Sequence, residues 1–284
     1  MTFLQIAALA VVQGLAELLP VSSSAHVIVA ERLMGVDPSS PKMTFLLVML
    51  HAGTTVAVIL YFWPRWKERL RSASGPARAE LLGALAIATA ATGVLGLVLK
   101  HLIEKVWLRG SGHREVESLF SNLPLIAAAL AAAGILTIWA GLRREDGDRP
   151  LTPARSAWIG LVQGLCLPFR GFSRSGATIS AGLLFGISRS LAEDFSFALA
   201  VILTPPVVAL EAHRLIKAAA AEGRSAWSPE LFAPGLLGMV FSFLAGLVAL
   251  RWLSDWLQNG RWRYFGCYCL AASAVVLAVA ARLR

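Results

Sequence analysis

Charged residues are scarce in this chain. Of its 284 residues, only 15% are Asp, Glu, Lys or Arg, whereas about 25% is usual in soluble domains. Apolar residues make up 57%, which excludes a disordered chain and argues against a soluble enzyme. The three cysteines, Cys166, Cys267 and Cys269, lack both metal-ligand spacing and a disulfide framework, so we expect them to be small buried side chains.

The apolar residues are gathered in blocks long enough to cross a bilayer, which takes about 20 residues. Six uninterrupted spans are predicted, at roughly 44–63, 81–99, 123–141, 195–213, 231–250 and 264–281. The sequence therefore predicts an all-α integral membrane protein surrounded by membrane lipids. The net charge of +9 is distributed over short segments between the blocks, so we expect no nucleic-acid partner.

Two further apolar stretches are interrupted. The stretch 2–36 is broken at Pro20 and the serines that follow it, and the stretch 156–187 is broken between Pro168 and Gly176. Non-helical backbone at membrane depth is tolerated only where it is buried in protein or lines a cavity. Each stretch is therefore predicted to be a re-entrant helical hairpin.

The two halves of the chain repeat one another. Val12-Gln13-Gly14-Leu15 returns 150 residues later as Val162-Gln163-Gly164-Leu165. The halves 1–144 and 155–284 each contain one broken stretch and three full spans, within one membrane domain. Because three is odd, the second half is expected to start on the opposite face, which gives an inverted-topology repeat whose broken stretches meet near the midplane.

Loop charges predict the orientation. The segments 64–80, 142–155 and 251–263 together hold 12 Lys and Arg residues, and the segments on the other face hold 9. Cytoplasmic loops are enriched in Lys and Arg. This mild bias places both termini outside.

The first broken stretch carries a carboxylate at membrane depth. Gln13 and Glu17 are four residues apart and share a helix face. An intramembrane carboxylate is costly, which favours a functional role for Glu17 over a purely structural ion pair. Ser22, Ser23, Ser24 and His26 follow Glu17 and extend this candidate site, because a helix N-terminus rich in hydroxyl groups binds anions. The serines could also serve only as helix caps.

The second broken stretch supplies positive charge. Arg174 lies between Ser173 and Ser175, just before Thr178 and a helix start. A guanidinium beside hydroxyls and free N–H groups can bind a phosphate. An ion pair between Arg174 and Glu17 is the alternative role, and the two are compatible. If the two breaks meet, the combined groups favour phosphoryl transfer, with Ser23 and His26 both open as nucleophile. His51 is interpreted as a packing or supporting residue.

These residues resemble the undecaprenyl-pyrophosphate phosphatase family of the bacitracin-resistance type. The family's first motif matches Gln13 to Glu17 and then Leu19 to His26, and its second motif, Pro-Gly-x-Ser-Arg-Ser-x-x-Thr, matches residues 170–178 except at its first position. The resemblance covers essentially the whole chain, including the number of spans and the duplication.

The resemblance implies an enzyme that removes the terminal phosphate of a C55 polyprenyl pyrophosphate and so recycles the lipid carrier for peptidoglycan synthesis. It implies a divalent cation, Mg²⁺ or Ca²⁺, which we assign to Glu17. It also implies a bacterial inner-membrane protein whose site opens to the periplasm or outside. The expected catalytic residues are Glu17, His26, Ser23 and Arg174, and the expected substrate-binding residues are Gln13, Ser22, Ser24, Arg170, Ser173, Ser175 and Thr178.

Three positions depart from the family pattern. Arg170 replaces the motif's proline, Gln13 stands where Glu is frequent, and Ala25 stands where Gly commonly precedes the His. Gln13 offers a cation no negative charge. A buried Arg170 needs an anionic neighbour, and we expect that neighbour to be the substrate's pyrophosphate or Glu17.

Other functions remain open at this stage. Inverted repeats with broken helices are typical of transporters, so a polyprenyl-phosphate transporter or flippase is the main alternative. A phosphatidate-phosphatase type is disfavoured, because its motif would use the loop residues Ser111-Gly112-His113 and no His follows Arg174 at the required spacing. The oligomeric state, including a homodimer, is left open by the sequence.

Overall fold

The described residues form a helical bundle. In a computed structural model these are residues 1–36, 41–107, 119, 122–143, 147–221 and 229–282. Within them lie ten α-helices and no strand: α1 (Phe3–Leu18), α2 (Ser23–Leu33), α3 (Pro41–Ser72), α4 (Gly75–Leu102), α5 (Leu123–Gly141), α6 (Pro153–Cys166), α7 (Arg174–Leu184), α8 (Arg189–Ala221), α9 (Pro229–Gln258) and α10 (Trp262–Arg282). The predicted all-α class is confirmed.

Six helices are long and apolar enough to cross a membrane, namely α3, α4, α5, α8, α9 and α10. Each contains or closely matches one predicted span, so the chain is a multi-pass membrane protein. Three helices extend well past the predicted ends, because α3 continues to Ser72, α8 to Ala221 and α9 to Gln258, where charged loops were expected. Lys, Arg and Glu favour helices, so a helix continues after its apolar run has ended.

Both interrupted stretches are a helix, a break and a second short helix. Residues 19–22 separate α1 from α2, and residues 167–173 separate α6 from α7. At 1.5 Å per residue these helices measure about 16–24 Å, which is shorter than the roughly 30 Å hydrocarbon core. Their entry and exit on one face of the bilayer stays a prediction.

The backbone is strained at the same place in both breaks. Ser22 has φ 66° and Ser173 has φ 38°, and in the described chain they are the two non-glycine residues with positive φ. Each directly precedes the short second helix of its stretch. Such conformations cost energy and cluster at functional sites, so both breaks are candidates for function.

The helix order recurs in the two halves, since α6 to α10 repeat α1 to α5 with closely similar lengths. The packing recurs as well. A Cβ built on Gly14 of α1 would lie 2.6 Å from the Ser242 carbonyl oxygen on α9, and a Cβ built on Gly164 of α6 would lie 3.0 Å from the Thr92 carbonyl oxygen on α4. Each half therefore packs its broken stretch against the other half. The opposite orientation of the halves stays a prediction.

A buried ion network joins α3, α8 and α9 at the Arg-rich end of α3. The Arg65 guanidinium lies 3.0 Å from Glu193 Oε2 and 2.8 Å from Asp194 Oδ1. Arg69 Nη2 lies 2.8 Å from Asp194 Oδ2. The Ser254 hydroxyl on α9 donates to the Glu193 carboxylate. Because both carboxylates are buried, their charges depend on these partners.

We expect Arg65→Ala to destabilise the protein by about 3–5 kcal/mol, because it leaves two buried carboxylates without their shared cation. Thermal unfolding of the detergent-solubilised protein measures this loss. Arg71→Ala is the matched control, since Arg71 lies at the same end of α3 but is exposed. Equal melting temperatures for the two variants would contradict a stabilising role for the network.

Candidate active site

The two breaks lie against each other. The Ser175 hydroxyl donates to the carbonyl of Leu19 at 3.4 Å. A Cβ built on Gly176 would lie 3.1 Å from Pro20 Cβ, so glycine permits the close approach of α7 to the first break. The N-termini of α2 and α7 therefore belong to one site, although about 150 residues separate them.

The Glu17 carboxylate lies at the centre of this site. Its Oε2 accepts a hydrogen bond from the Ser23 hydroxyl and another from Gln13 Nε2 at 3.2 Å. Its Oε1 lies 3.4 Å from Arg174 Nη2. Glu17 thus connects a hydroxyl of the first break with the guanidinium of the second.

His51 on α3 completes the surroundings of Glu17. Its Nδ1 lies 2.8 Å from the carbonyl of Leu47, and because a carbonyl only accepts, Nδ1 carries the proton. Its Nε2 lies 3.2 Å from Gln13 Nε2 and 3.7 Å from Glu17 Oε2. In the neutral ring, Nε2 accepts one Gln13 N–H while the other reaches Glu17. The sequence analysis placed His51 in a packing or supporting role, and the structure places it in direct contact with Gln13.

Arg174 has hydrogen-bonding capacity left over. Nη2 faces Glu17, whereas Nη1 is buried and has no hydrogen-bond partner among the described residues. A buried guanidinium N–H without a partner is unfavourable and is relieved by an anionic ligand. This nitrogen therefore marks the position where the site is short of an anion.

The N-terminus of α2 adds further donors. Its N-cap residue Ser22 forms no side-chain cap, and the Ser22 hydroxyl lies 3.4 Å from the Ser24 hydroxyl instead. The first N–H groups of α2 are thus not satisfied by the cap side chain. Free N–H groups at a helix N-terminus bind anions, which agrees with the position of Arg174.

The hydroxyls of the second break mainly hold backbone in place. Ser173 accepts from the N–H of Gly176 at 3.3 Å and so caps α7. The Thr178 hydroxyl lies 2.9 Å from the Arg174 carbonyl and 2.6 Å from the Ser196 hydroxyl on α8. Thr178 is buried, so the contacts that the structure gives it position α7.

His26 lies in the first turn of α2, with both ring nitrogens engaged. Nδ1 lies 2.8 Å from the Ser22 carbonyl, and Nε2 lies 2.7 Å from the hydroxyl of Tyr268 on α10. The sequence analysis did not name Tyr268. The only signal available was an aromatic residue in an apolar span, and that pattern does not distinguish an active-site contact from core packing.

Arg170 lies within electrostatic range of Glu31, a buried residue of α2. Glu31 Oε1 is buried and has no hydrogen-bond partner in the described ranges. The expected anionic neighbours of Arg170 were Glu17 and the substrate, and Glu31 is a further one. Glu31 lies eleven residues after Pro20, and no local pattern in the sequence relates it to the second break.

Glu17 is the carboxylate of this site that could hold a divalent cation. No three His, Cys, Asp or Glu side chains converge as a metal site within the part of the chain that the structure describes. Mg²⁺ commonly uses one or two carboxylates with substrate phosphates, whereas Ca²⁺ takes about six to eight oxygens. Glu17 could supply one such carboxylate.

The alternative motif at Ser111-Gly112-His113 lies outside the described residues. The described residues that the structure brings together come from the two broken stretches and from α3, α8 and α10 beside them.

Comparison with known proteins identifies the family. The model of the bacitracin resistance protein BacA family matches residues 6–275. The chain is 58% identical to undecaprenyl-diphosphatase 2 of Acinetobacter baylyi, with 99% of each chain covered. It is 34% identical to undecaprenyl-diphosphatase 1 of Burkholderia pseudomallei, covering 95% of this chain and 94% of the relative. The chain therefore belongs to the BacA family of bacitracin resistance proteins.

Proposed function

We propose that this protein is a membrane phosphatase that hydrolyses undecaprenyl pyrophosphate to undecaprenyl phosphate and inorganic phosphate. Relatives that match nearly the full chain are named undecaprenyl-diphosphatases. The observation that carries the proposal is Nη1 of Arg174, which is buried and has no hydrogen-bond partner among the described residues, close to the hydrogen-bonded Ser23 and Glu17 pair. A donor that lacks an anion next to a hydroxyl bonded to a carboxylate is what phosphoryl transfer requires.

The geometry supports Ser23 as the nucleophile. Its hydroxyl already donates to Glu17, so Glu17 takes the proton as the Ser23 oxygen attacks the terminal phosphorus. The bond from that phosphorus to the bridging oxygen breaks, and undecaprenyl phosphate leaves with the electron pair. Arg174 and the N–H groups of α2 stabilise the charge on the transferring phosphoryl group.

Water completes the reaction. His26 takes a proton from water as the water oxygen attacks the phosphoserine, and the Ser23 oxygen leaves and recovers the proton held by Glu17. Inorganic phosphate is released. A phosphohistidine on His26 is the competing route, since a ring whose Nδ1 bonds a carbonyl leaves Nε2 as the reactive nitrogen.

A divalent cation, Mg²⁺ or Ca²⁺, is the proposed cofactor, and Glu17 would hold it. When bound, it would neutralise charge on the pyrophosphate. Arg170 remains a candidate second contact for the pyrophosphate, with Glu31 as its neighbour in the absence of substrate. We further propose that the protein lies in the bacterial inner membrane with its site open to the outside, where it recycles the lipid carrier and gives bacitracin resistance.

Phosphate release by the purified protein in detergent tests the function, because a transporter alone would release none.

We expect Arg174→Ala to lower kcat by about 100-fold to 1000-fold, the scale of losing one preorganised donor. Arg174→Lys should also fail, since an ammonium cannot reproduce a planar two-point contact. Arg155→Lys is the control, because Arg155 contacts the Pro150 carbonyl away from the site. Normal turnover of Arg174→Lys would refute the two-point contact.

Trapping the covalent intermediate separates the two nucleophiles. We expect substrate labelled at its terminal phosphate to give an acid-stable phosphoserine in wild type and more of it in His26→Gln, because hydrolysis slows while attack continues. Ser23→Ala should give no labelled protein. An acid-labile label that persists in Ser23→Ala and disappears in His26→Gln would assign the attack to His26.

Removal of charge from Glu17 should disturb both the nucleophile and the cation. We expect Glu17→Gln to lower kcat sharply and to raise the Mg²⁺ concentration that gives half-maximal rate, because a neutral amide is a poor ligand for a hard cation. Titration of the rate with Mg²⁺ measures both effects. Glu68→Gln, a change at an exposed position of α3, is the control. An unchanged cation requirement in Glu17→Gln would remove Glu17 from the metal site.

A further inference from the structure

His26 has no free ring nitrogen in this structure. Nδ1 lies 2.8 Å from the Ser22 carbonyl oxygen, which can only accept, so Nδ1 carries the proton. In the neutral ring Nε2 is then a bare lone pair, and the Tyr268 hydroxyl 2.7 Å away donates to it. The two rings are also nearly parallel, with planes that differ by 11° and centroids 5.6 Å apart.

The position of Tyr268 is set by its neighbours on α10. The Cys269 thiol donates to the Pro20 carbonyl at 3.2 Å, and the Ser273 hydroxyl donates to the Ala127 carbonyl on α5 at 2.7 Å. These contacts hold α10 against the first break. Tyr268 itself is 48% exposed.

We propose that Tyr268 orients His26 and relays protons to and from its Nε2. The proposal rests on the hydrolytic function proposed above. Since the Ser22 carbonyl occupies Nδ1, any proton that His26 gains or loses moves through Nε2, and the phenol occupies Nε2. A phenol hydroxyl both donates and accepts, so Tyr268 holds the imidazole in its neutral and its protonated state.

The proton balance is complete without any added reactant. As water attacks the phosphoserine, its proton moves to Tyr268 Oη while the phenol proton moves to His26 Nε2. The phenol is unchanged and the ring becomes an imidazolium. The bond from phosphorus to the Ser23 oxygen breaks, and that oxygen takes the proton held by Glu17. The imidazolium later returns its proton through Tyr268 to the released phosphate or to water.

Tyr268→Phe tests the role of the hydroxyl, because it keeps the ring and its packing. Proton transfer in the transition state contributes about 100-fold or more, so we expect kcat to fall at least about tenfold. KM should fall with it, so that kcat/KM stays within about twofold, because the first attack on the substrate is unchanged. The labelled phosphoserine should accumulate, because only its hydrolysis slows. Tyr264→Phe is the matched control. Tyr264 lies one turn earlier on α10 and has the same 48% exposure. Its hydroxyl oxygen accepts a hydrogen bond from the Arg263 side chain.

Histidine ¹⁵N NMR of the full-length protein in detergent tests the contact independently of turnover. The resonances of His26 are assigned by their loss in His26→Gln. We expect Tyr268→Phe to shift the Nε2 resonance of His26 and Tyr264→Phe to leave it unchanged. Melting temperatures of both variants check that the fold is retained.

The outcomes separate the two proposals. Wild-type turnover by Tyr268→Phe, or an unmoved Nε2 resonance, overturns the role of Tyr268 while the phosphatase function stands. If wild type releases no phosphate but the resonance shifts, the proposed function fails and the hold of Tyr268 on His26 stands. A reduced kcat with accumulated phosphoserine and a shifted resonance supports both.

Discussion

The attraction between Glu17 and Arg174 is the interaction on which the site depends. A carboxylate or a guanidinium alone at membrane depth is costly, and each residue offsets that cost for the other at 3.4 Å. They come from opposite halves of the chain and from separate breaks. Pairing them therefore draws the two breaks together, and the hydroxyls and helix N-termini beside each charge arrive at the same place.

Close backbone packing makes this pairing reachable. Gly14 and Gly164 let the broken stretches approach α9 and α4 without side chains between them, and each broken stretch packs against the opposite half. Gly176 allows the same closeness between α7 and Pro20. Membrane helices associate through such small residues, because burial of apolar surface gains little in lipid. The ion network of Arg65, Glu193 and Asp194 lies elsewhere and joins the full-length spans.

Much of this arrangement could be predicted from sequence because its signals are local. Apolar runs predict the six spans, and Pro20 with its serines predicts the first break. The sequence at positions 12–15 is repeated at 162–165, which indicates that the two halves are related. Glu17 and Arg174 are recognisable as charged residues within apolar stretches. Helix ends were predicted less well, since charged residues continue α3 and α9 beyond the membrane.

The missed residues share a different property. Tyr268 is 242 residues from His26, and nothing near it in sequence marks it as a partner. Glu31 carries a charge in an apolar stretch, yet its relation to Arg170 depends on how α2 meets the second break. Contacts of this kind follow from the relative placement of helices, and that placement is a property of the whole bundle rather than of any local pattern.

The resting site is arranged for an anion at a measurable structural cost. Ser22 and Ser173 adopt left-handed backbone conformations, the α2 N-terminus lacks its side-chain cap, and Nη1 of Arg174 is buried without a partner in the described chain. Each feature is unfavourable by itself. The last two would be relieved by a phosphate that accepts from the guanidinium and from the N–H groups of α2. Because the bundle fixes these donors in advance, little reorganisation remains to be done in the transition state.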